Sequence, residues 1–370
     1  MHEERRDGRI DAGGKERQRH LRTAHPQLRR IIAPRDRVII DDADDGLVLV
    51  LQLDPILHRA EVVSNVKLPG RLNSTEDARH PENVMSAADA SQANHDAPAR
   101  AAVGRADRRA LLATCVAAAA RSADVVRAGA ERRESLIWES KSRFDFVSDV
   151  DRASEQALGD VISSRHADAT LLAEEGSPDA QATRGLVFVA DPLDGTTNFL
   201  HGFPWYAVSV AALVDGEIQA GAVINVATGA LFTATLGGGA RLAGAPMKVS
   251  GNTDPARALI ASGFPFSREE EIARYLKLLP PVMRGTAGIR RAGAAALDLA
   301  DVAAGRFEAF FELRLAPWDI AAGILLVREA GGIVTTLDGS PCRVAETSVL
   351  AGNPAMHDWL LETLAVNRET

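Results

Sequence analysis

The stretch DPLDGTTNF, residues 191–199, places residue types that could bind metal and phosphate within one short segment. It follows the apolar, β-prone run LVFVA, so Asp191 is expected at the end of a buried strand. Pro192 is expected to turn the backbone there, because proline cannot continue a central strand. The turn can bring the carbonyl of Leu193 and the carboxylate of Asp194 to one cavity. Mg²⁺ prefers oxygen ligands of this kind, so the segment predicts a site for hard divalent cations.

The residues after Asp194 could bind an anion beside that cation site. Gly195 permits close approach of the backbone, and a helix that begins at Gly195 or Thr196 would direct its free N–H groups at a phosphate. Cation-binding carboxylates next to anion-binding amides indicate metal-assisted phosphoryl transfer. The alternative is an ordinary strand-turn-helix in which Asp194 caps the helix and Asp191 is a turn residue.

Two further segments place acidic residues at the ends of predicted elements. The apolar run in LLAEEGS ends on Glu174 and Glu175, and adjacent glutamates on a buried side repel each other unless a cation or partner is near. The alternative for them is a charged loop. In APWDIAAGILLVREAGG, Asp319 stands at the start of a helix that Gly331 and Gly332 would terminate, and taken alone it indicates a helix cap.

A fourth segment, KSRFDFVSDVDRASE, precedes and enters a predicted helix. It offers Lys141, Asp145 and Asp151 as candidate functional residues. An aspartate just before a helix is usually a cap, so the residues alone leave the role of Asp151 open.

Together these four segments resemble the inositol monophosphatase family of lithium-sensitive, Mg²⁺-dependent phosphomonoesterases. DPLDGTTNF is similar to the first family signature and WDIAAGILLVREAGG to the second, while AEEGS is similar to the family's double-glutamate loop and KSRFDFVSDVD to its N-terminal segment. HGFPWYAVSVAAL and AAALDLADVAAGRFEAFFE also resemble family sequence. The match covers about residues 106–366, in the family's order and near its spacing.

The resemblance implies a layered α/β/α/β/α fold, usually a homodimer, that hydrolyses a small phosphorylated polyol with two or three Mg²⁺ per site. One Mg²⁺ would be held by Glu174, Asp191 and the carbonyl of Leu193. A second would be held by Asp191, Asp194 and Asp319. A third, weaker ion would also touch Glu174.

The resemblance also assigns catalytic and substrate-binding roles. An aspartate–threonine pair orients the attacking water in the family, here Asp151 and Thr196, so Asp151 is expected to orient water rather than to cap its helix. Glu174 joins these two as a catalytic residue. The expected substrate-binding residues are Gly195 and Thr196, whose amides would hold the phosphate, Glu312, which would accept a ring hydroxyl, Ala295 near the same ring, and Asp319.

Two departures from the family pattern lie near these residues. Ala173 stands where the family usually has glycine before its two glutamates, which should leave the carboxylates in place. The family's Gly-Ser/Thr-Ala-Ala stretch is GAAA here, residues 293–296, which removes a hydroxyl near the substrate. The resemblance makes inositol 1-phosphate or a similar polyol phosphate the leading substrate, with histidinol phosphate and fructose 1,6-bisphosphate as alternatives because they share the metal site. A function of another class, as a partner of transcription or ribosome-assembly machinery, is also open.

The overall composition agrees with a globular phosphatase. The chain has 370 residues, of which 46% are hydrophobic, and a net charge of −8, which argues against nucleic acid or an anionic membrane as the main partner. The two cysteines, Cys115 and Cys342, form no CxxC motif, so a reducing cytoplasm is expected. No apolar run reaches the roughly 18 residues of a membrane span, and the N-terminus has no apolar signal region.

The chain divides into regions of different character. Residues 1–84 match nothing in the family and hold one β-like run, DGLVLVLQLDPIL. They are therefore expected to be a disordered tail, or a misassigned extension of a protein whose true first residue is Met85. Residues 85–105 have the composition of a flexible tail. The segment 106–250 is expected to form an α+β half with the metal site and an antiparallel meander. The segment 251–370 is expected to form an α/β half that completes the site.

Overall fold

The computed structural model describes residues 103–142, 145–177, 184–266 and 269–365, together with three strands nearer the N-terminus. These strands are β1 (Arg37–Asp42), β2 (Leu47–Asp54) and β3 (Arg59–Lys67), and they form an antiparallel sheet of their own. The expected β-like run is β2, and two further strands that the sequence analysis missed flank it. Residues 1–36 and 68–102, which include most of the expected tail, lie outside the described residues. The assignment of 1–84 as an extension remains a prediction.

Seven helices and fourteen further strands make up the described chain from Arg105 onward. The helices are α1 (Arg105–Glu131), α2 (Asp149–Arg165), α3 (Thr196–His201), α4 (Glu269–Gly285), α5 (Ala295–Ala303), α6 (Pro317–Glu329) and α7 (Pro354–Ala365). The strands are β4 (Glu139–Ser142), β5 (Asp145–Val147), β6 (Thr170–Ala173), β7 (Leu186–Asp194), β8 (Ala207–Val214), β9 (Glu217–Asn225), β10 (Leu231–Thr235), β11 (Gly239–Leu242), β12 (Ala245–Pro246), β13 (Leu259–Ser262), β14 (Gly288–Arg290), β15 (Ala309–Leu315), β16 (Ile333–Thr335) and β17 (Thr347–Gly352).

A seven-stranded sheet in the order β12-β11-β10-β9-β8-β7-β6 is built from residues 170–246. Its strands from β7 to β12 form the expected antiparallel meander, and β6 pairs with β7 in parallel. An Asp-Gly turn joins β8 to β9, where Asp215 and Gly216 have φ of 50° and 82°. Positive φ at both central positions suits the twist of a two-residue hairpin.

A five-stranded mixed sheet in the order β14-β13-β15-β17-β16 lies in the C-terminal part. β13 pairs in parallel with β14 and β15, whereas β17 pairs antiparallel with β15 and β16. Its strands are short and alternate with helices α4 to α7, as the sequence predicts for an α/β arrangement. β4 and β5 form a separate two-stranded hairpin between α1 and α2.

Three hydrophobic clusters join these elements into five layers. α1 and α2 pack on one face of the seven-stranded sheet. α5 and α6 lie between the two sheets and bury apolar side chains of both. α4 and α7 cover the far face of the five-stranded sheet. The architecture is therefore α/β/α/β/α, as the sequence resemblance implies, and the segments 106–250 and 251–370 share one helical layer.

Two helices contain residues that disfavour a helix interior. α1 continues past Gly129 to Glu131, and a Cβ at Gly129 would lie 2.6 Å from the side chain of Val150. This glycine is thus a close contact between α1 and α2. α4 runs through Pro280 and Pro281, because packing of its apolar face outweighs the cost of proline.

Candidate active site

The ends of β6 and β7 place two predicted metal ligands side by side. The two strands are parallel and the last pair in register is Ala173 with Ala190, so Glu174 and Asp191 follow at the same edge of the sheet. Asp191 is only 2% exposed. Glu174 is partly buried at the start of the turn after β6. The apolar runs thus deliver their terminal carboxylates to one place, as expected of strands that end at a site.

Pro192 does not end its strand, which corrects the sequence prediction. β7 continues to Asp194, and its register against β8 shifts between Asp191, opposite Ser209, and Asp194, opposite Ala207. One extra residue is therefore accommodated as a β-bulge. Proline is tolerated at this point because β6 has already ended on the other side, so β7 is an edge there.

The bulge fixes the backbone around the two aspartates. The N–H of Leu193 donates to Oδ1 of Asp191 at 2.9 Å, and the hydroxyl of Ser154 donates to the carbonyl of Pro192 at 3.0 Å. The carbonyl of Leu193, a predicted metal ligand, accepts the hydroxyl of Thr196 at 3.0 Å. The backbone of this bulge is therefore held both by bonds within the segment and by a bond from α2.

Gly195 makes the sharp connection from β7 into α3. Its φ of +87° is a left-handed conformation, and a Cβ there would lie 3.1 Å from the carbonyl of Trp205 and 3.2 Å from that of Gly293. Only glycine fits both the conformation and the space. α3 then begins at Thr196, as predicted, and its first-turn N–H groups have no acceptor within the helix.

Asp151 and Thr196, predicted to act as a pair, are in contact. The hydroxyl of Thr196 donates to Oδ1 of Asp151 at 2.9 Å. The other oxygen of Asp151, Oδ2, accepts the backbone N–H of Ser148 at 2.9 Å and its hydroxyl at 2.6 Å, which forms a capping box at the start of α2. The prediction that Asp151 would not cap its helix was wrong, because Oδ2 of this buried carboxylate caps α2. The other oxygen, Oδ1, remains in contact with Thr196.

Asp194 and Asp319 are likewise held at helix N-termini. Oδ2 of Asp194 accepts the N–H of Ala296 at 2.8 Å in the first turn of α5, and Oδ2 of Asp319 accepts the N–H of Ala316 at 2.7 Å at the start of α6. These positions favour the ionised carboxylates because the helix dipole is positive at its N-terminus. Ala295 is expected to lie near the ring of the substrate. Because it directly precedes Ala296, it lies beside Asp194.

The Glu174 loop has a support that the sequence analysis missed. Glu155 of α2 accepts the N–H groups of Glu175 and Gly176 through its two oxygens, at 2.8 and 2.7 Å. A Cβ on Gly176 would lie 2.5 Å from one of these oxygens. The loop that presents Glu174 is thus clamped onto α2. Glu155 lies four residues after Asp151, one helical turn away, which is the signal that could have revealed it.

Burial and mutual repulsion raise the pKa of the clustered carboxyl groups. The pKa of Asp191 lies well above its usual range because the group is buried and faces the charges of Glu174, Asp194 and Asp319. Burial, opposed by the α5 amides, raises the pKa of Asp194 to about 7. Such a cluster is costly unless a cation compensates it, and its hard oxygen donors suit Mg²⁺. The residues present therefore fit that ion.

Among the described residues, the candidate metal ligands lie near one another but do not form a complete ligand set. Within the described residues, no group of three His, Cys, Asp or Glu side chains is gathered tightly enough to form a complete ligand set for one ion. The inference that these residues suit a metal ion therefore rests on two points. The buried carboxylates around Asp191 repel one another, and their oxygen atoms are the ligands that Mg²⁺ prefers.

Glu312, the predicted acceptor of a substrate hydroxyl, lies within range of the charges of Asp319 and Asp194. It is partly buried in β15, next to Gly263 at the end of β13. Burial raises its pKa to about 8, and the charges of Asp319 and Asp194 add to this effect while Arg291 opposes it. Arg291 is a second residue that the sequence analysis missed. Its guanidinium lies over the rings of Phe264 and Phe266, at 5.7 and 4.9 Å from the ring centroids.

Asp298 is a further acidic residue that the sequence analysis did not single out. It is 1% exposed in α5, and its Oδ1 is buried without a hydrogen-bond partner among the described residues. Burial raises its pKa well above the usual range, and the charges of Asp194 and Glu312 contribute. An acid inside the apolar run AAALDLA was the available signal. The side chains of Lys141 and Asp145, also candidates, lie outside the described part of the chain.

Comparison with known proteins identifies the family of this chain. The sequence profile of the inositol monophosphatase family matches residues 107–369. This chain is a member of the inositol monophosphatase family. The match begins after the N-terminal sheet, whose strands β1 to β3 have no counterpart in it.

Relatives of this family member carry two kinds of name. The chain is 39% identical over 257 residues to a putative Nus factor SuhB of Neisseria meningitidis. The aligned residues make up 70% of this chain and 98% of that protein. The chain is 38% identical over 261 residues to the chloroplastic phosphatase IMPL1 of Arabidopsis thaliana, which covers 69% of this chain and 70% of that protein. The family is one of phosphoric monoester hydrolases that generally depend on Mg²⁺.

A solved inositol monophosphatase confirms the layered fold. The structure of the enzyme from Anabaena (Nostoc) sp. PCC 7120 superimposes with a TM-score of 0.61 at 31% identity, over 70% of this chain and 96% of that one. In the described part of the chain, no helix has the length and apolar character needed to cross a membrane.

Proposed function

We propose that this family member is a Mg²⁺-dependent phosphomonoesterase that hydrolyses inositol 1-phosphate, or a similar polyol phosphate, to the alcohol and inorganic phosphate. The observation that carries the proposal is the convergence of Glu174, Asp191, Asp194 and Asp319 at one buried place, beside the contact between Asp151 and Thr196. This is the combination of cation and water-orienting groups that the reaction needs.

The proposed metal ligands follow the sequence prediction. Glu174, Asp191 and the Leu193 carbonyl would hold one Mg²⁺, Asp191, Asp194 and Asp319 a second, and Glu174 would touch a third. When bound, the ions would lower the pKa of water and stabilise the charge of the leaving oxygen. The raised pKa of Asp191 marks the repulsion that such cations would relieve.

The chain's own residues would orient the reactants. Because the Thr196 hydroxyl directs its one proton at Oδ1 of Asp151 and the carbonyl of Leu193, its lone pairs point away from these acceptors and can accept a hydrogen bond from the attacking water. Asp151 cannot rotate, since its Oδ2 is held by Ser148. The first-turn N–H groups at Gly195 and Thr196 would bind the phosphate oxygens. Glu312 would accept a hydroxyl of the polyol, with Ala295 and Asp319 lining the same space.

A phosphate-release screen tests this function. Inositol 1-phosphate, histidinol phosphate, fructose 1,6-bisphosphate and phosphoadenosine phosphate would be compared at equal concentration with Mg²⁺ and with EDTA. We expect Mg²⁺-dependent release that is fastest with inositol 1-phosphate. A faster rate with histidinol phosphate or fructose 1,6-bisphosphate would change the proposed substrate but leave the proposed class of enzyme, a phosphomonoesterase, unchanged. No release from any ester would overturn the proposal.

A second candidate function comes from the relatives named Nus factors. By that analogy, the chain would bind a component of the transcription or ribosome-assembly machinery as a regulator. A pull-down from cell extract with the wild-type protein and with Asp191→Asn separates the two functions. A regulatory partner would be retained by the variant, because binding through a surface does not need the buried carboxylate.

A further inference from the structure

Gly263 lies against the carboxylate of Glu312. An ideal Cβ built on Gly263 would be 2.0 Å from Oε2, 2.2 Å from the carboxylate carbon and 2.2 Å from Oε1 of Glu312. These are the three heavy atoms nearest to that position, and all belong to one side chain. The carboxylate therefore occupies the volume that any other residue at 263 would fill.

The conformation of Gly263 does not itself require glycine. Its φ lies outside the positive range, unlike that of Gly195 or Gly293. A side chain could be added here without backbone strain, and the atoms it would meet are the end of a flexible side chain. The absence of a Cβ is thus explained by the position of Glu312, not by the turn that follows β13.

Glu312 has little else to hold it. Within the described part of the chain, its carboxylate makes no hydrogen bond to the protein, in contrast to those of Asp151, Asp194 and Asp319. The charges of Asp319 and Asp194 repel it, and the charge of Arg291 attracts it. Arg291 in turn is held by Phe264 and Phe266, the aromatic residues that follow Gly263.

We propose that Gly263 is a positioning residue that fixes substrate recognition through Glu312. The space beside its Cα determines where the Glu312 carboxylate lies and so which hydroxyl of the polyol it can accept. This inference rests on the proposed function, in which Glu312 binds a substrate hydroxyl. Substitution of Gly263 should therefore alter selection between phosphate esters while leaving the cation and water-orienting groups intact.

The test compares two esters in Gly263→Ala, with Gly251→Ala as the matched control, since a Cβ at Gly251 meets no atom within 4 Å. Inositol 1-phosphate has ring hydroxyls for Glu312, whereas p-nitrophenyl phosphate has none. We expect KM for inositol 1-phosphate to rise about tenfold in Gly263→Ala, the loss expected for one hydrogen bond to a charged group. Its kcat, its Mg²⁺ requirement and its activity on p-nitrophenyl phosphate should stay within about twofold of wild type.

A double-mutant cycle shows whether the effect passes through Glu312. In a Glu312→Ala background, Gly263→Ala should have no further effect on KM, because the displaced group is absent. Glu312→Asp, which is shorter, should recover part of the selectivity of Gly263→Ala. Additive effects of the two alanine substitutions, or equal loss of activity on both esters, would show a general structural role and overturn the inference.

A crystal structure of Gly263→Ala separates this inference from the proposed function. If the Glu312 carboxylate is displaced by about 1 Å or more while Asp191 and Asp194 stay in place, the positioning role holds, even if the wild-type protein hydrolyses neither ester and the proposed function has failed. An unmoved carboxylate would overturn the positioning role whatever the activity.

Discussion

The proposed cation-binding side of the candidate site and its proposed substrate side are built by different means. Asp151, Asp191, Asp194 and Asp319 each accept a backbone N–H, and the Glu174 loop is clamped by Glu155. Glu312, on the proposed substrate side, lies against the space beside Gly263 and is attracted by the charge of Arg291. Backbone hydrogen bonds are part of the fold and are hard to change one at a time. In contrast, the space beside Gly263 and the charge of Arg291 can each be changed by a single substitution.

This contrast suggests how one fold can keep its chemistry while its substrate varies. The carboxylates at the sheet edge and helix N-termini are fixed by elements that the whole core supports. The substrate side depends on a few side chains at the ends of β13 and β15. We therefore expect substitutions on the cation-binding side to remove turnover and substitutions on the substrate side to redirect it.

The largest effect is expected for Asp191→Asn. This carboxylate is proposed to serve two cations, and an amide supplies no charge, so turnover should fall by on the order of 10³-fold or more. The measurement is phosphate release at saturating Mg²⁺, with circular dichroism to show that the variant is folded. Near-normal activity in a folded Asp191→Asn protein would contradict the proposed ligand set.

Thr196→Ala should have the next largest effect. Loss of the hydroxyl that contacts Oδ1 of Asp151 at 2.9 Å leaves the attacking water without its orienting group, so kcat should fall by about 10²-fold. The side chain of Thr196 is not among the proposed metal ligands, so the Mg²⁺ concentration for half-maximal activity should change little. A variant that lost Mg²⁺ affinity but kept kcat would show that the two roles are assigned wrongly.

Glu155→Gln tests the clamp on the cation-binding side. A carboxamide offers one acceptor oxygen where the carboxylate offers two, so one of the N–H groups of Glu175 and Gly176 loses its partner. We expect Mg²⁺ affinity, measured by calorimetry, to fall about tenfold, with KM for substrate unchanged at saturating Mg²⁺. Gln156→Ala is the matched control, since Gln156 is exposed and its side chain donates a hydrogen bond to Asp160 of the same helix. Equal affinities in the two variants would exclude a role for the clamp.

The raised carboxyl pKa values predict a pH-dependent stability that Mg²⁺ should remove. The pKa of Asp194 is about 7 in the folded protein and is near 3.8 when exposed. Between these pH values the folded state binds more protons than the unfolded state, so the free energy of unfolding should fall as pH rises from about 4 to 7. Asp191 contributes in the same direction.

Thermal melts with EDTA and with Mg²⁺ at pH 5, 6, 7 and 8 would measure this effect. A bound cation favours the ionised carboxylates, so the gain in Tm from Mg²⁺ should increase with pH and reach several degrees at pH 8. The same gain at every pH would mean that Mg²⁺ binds away from these groups.

The sequence predicted the layered fold and the identity of the converging carboxylates better than it predicted how they are held. The buried strand that leads to Asp191 and the helix start near Asp319 follow from local periodicity and from the resemblance to the family. The bulge at Pro192 does not, because it depends on where the neighbouring strand β6 ends. Likewise, Glu155 and Gly263 gain their roles from residues 20 and 49 positions away, Glu175 and Glu312, and single-sequence patterns carry no such contact.

The smallest effect is expected from removal of residues 1–84. Strands β1 to β3 form a sheet that is not hydrogen-bonded into either large sheet in the described structure, so β2 does not extend the core. All candidate site residues lie at or after Lys141. Ordering a residue costs about 1–2 kcal/mol of backbone entropy, which a segment outside the two large sheets must offset by its own packing. A chain that begins at Met85 should therefore match the full chain in Tm, in apparent size by gel filtration and in phosphate release. A loss of several degrees in Tm, or of several-fold in kcat/KM, would show that the N-terminal sheet supports the α1 side of the core.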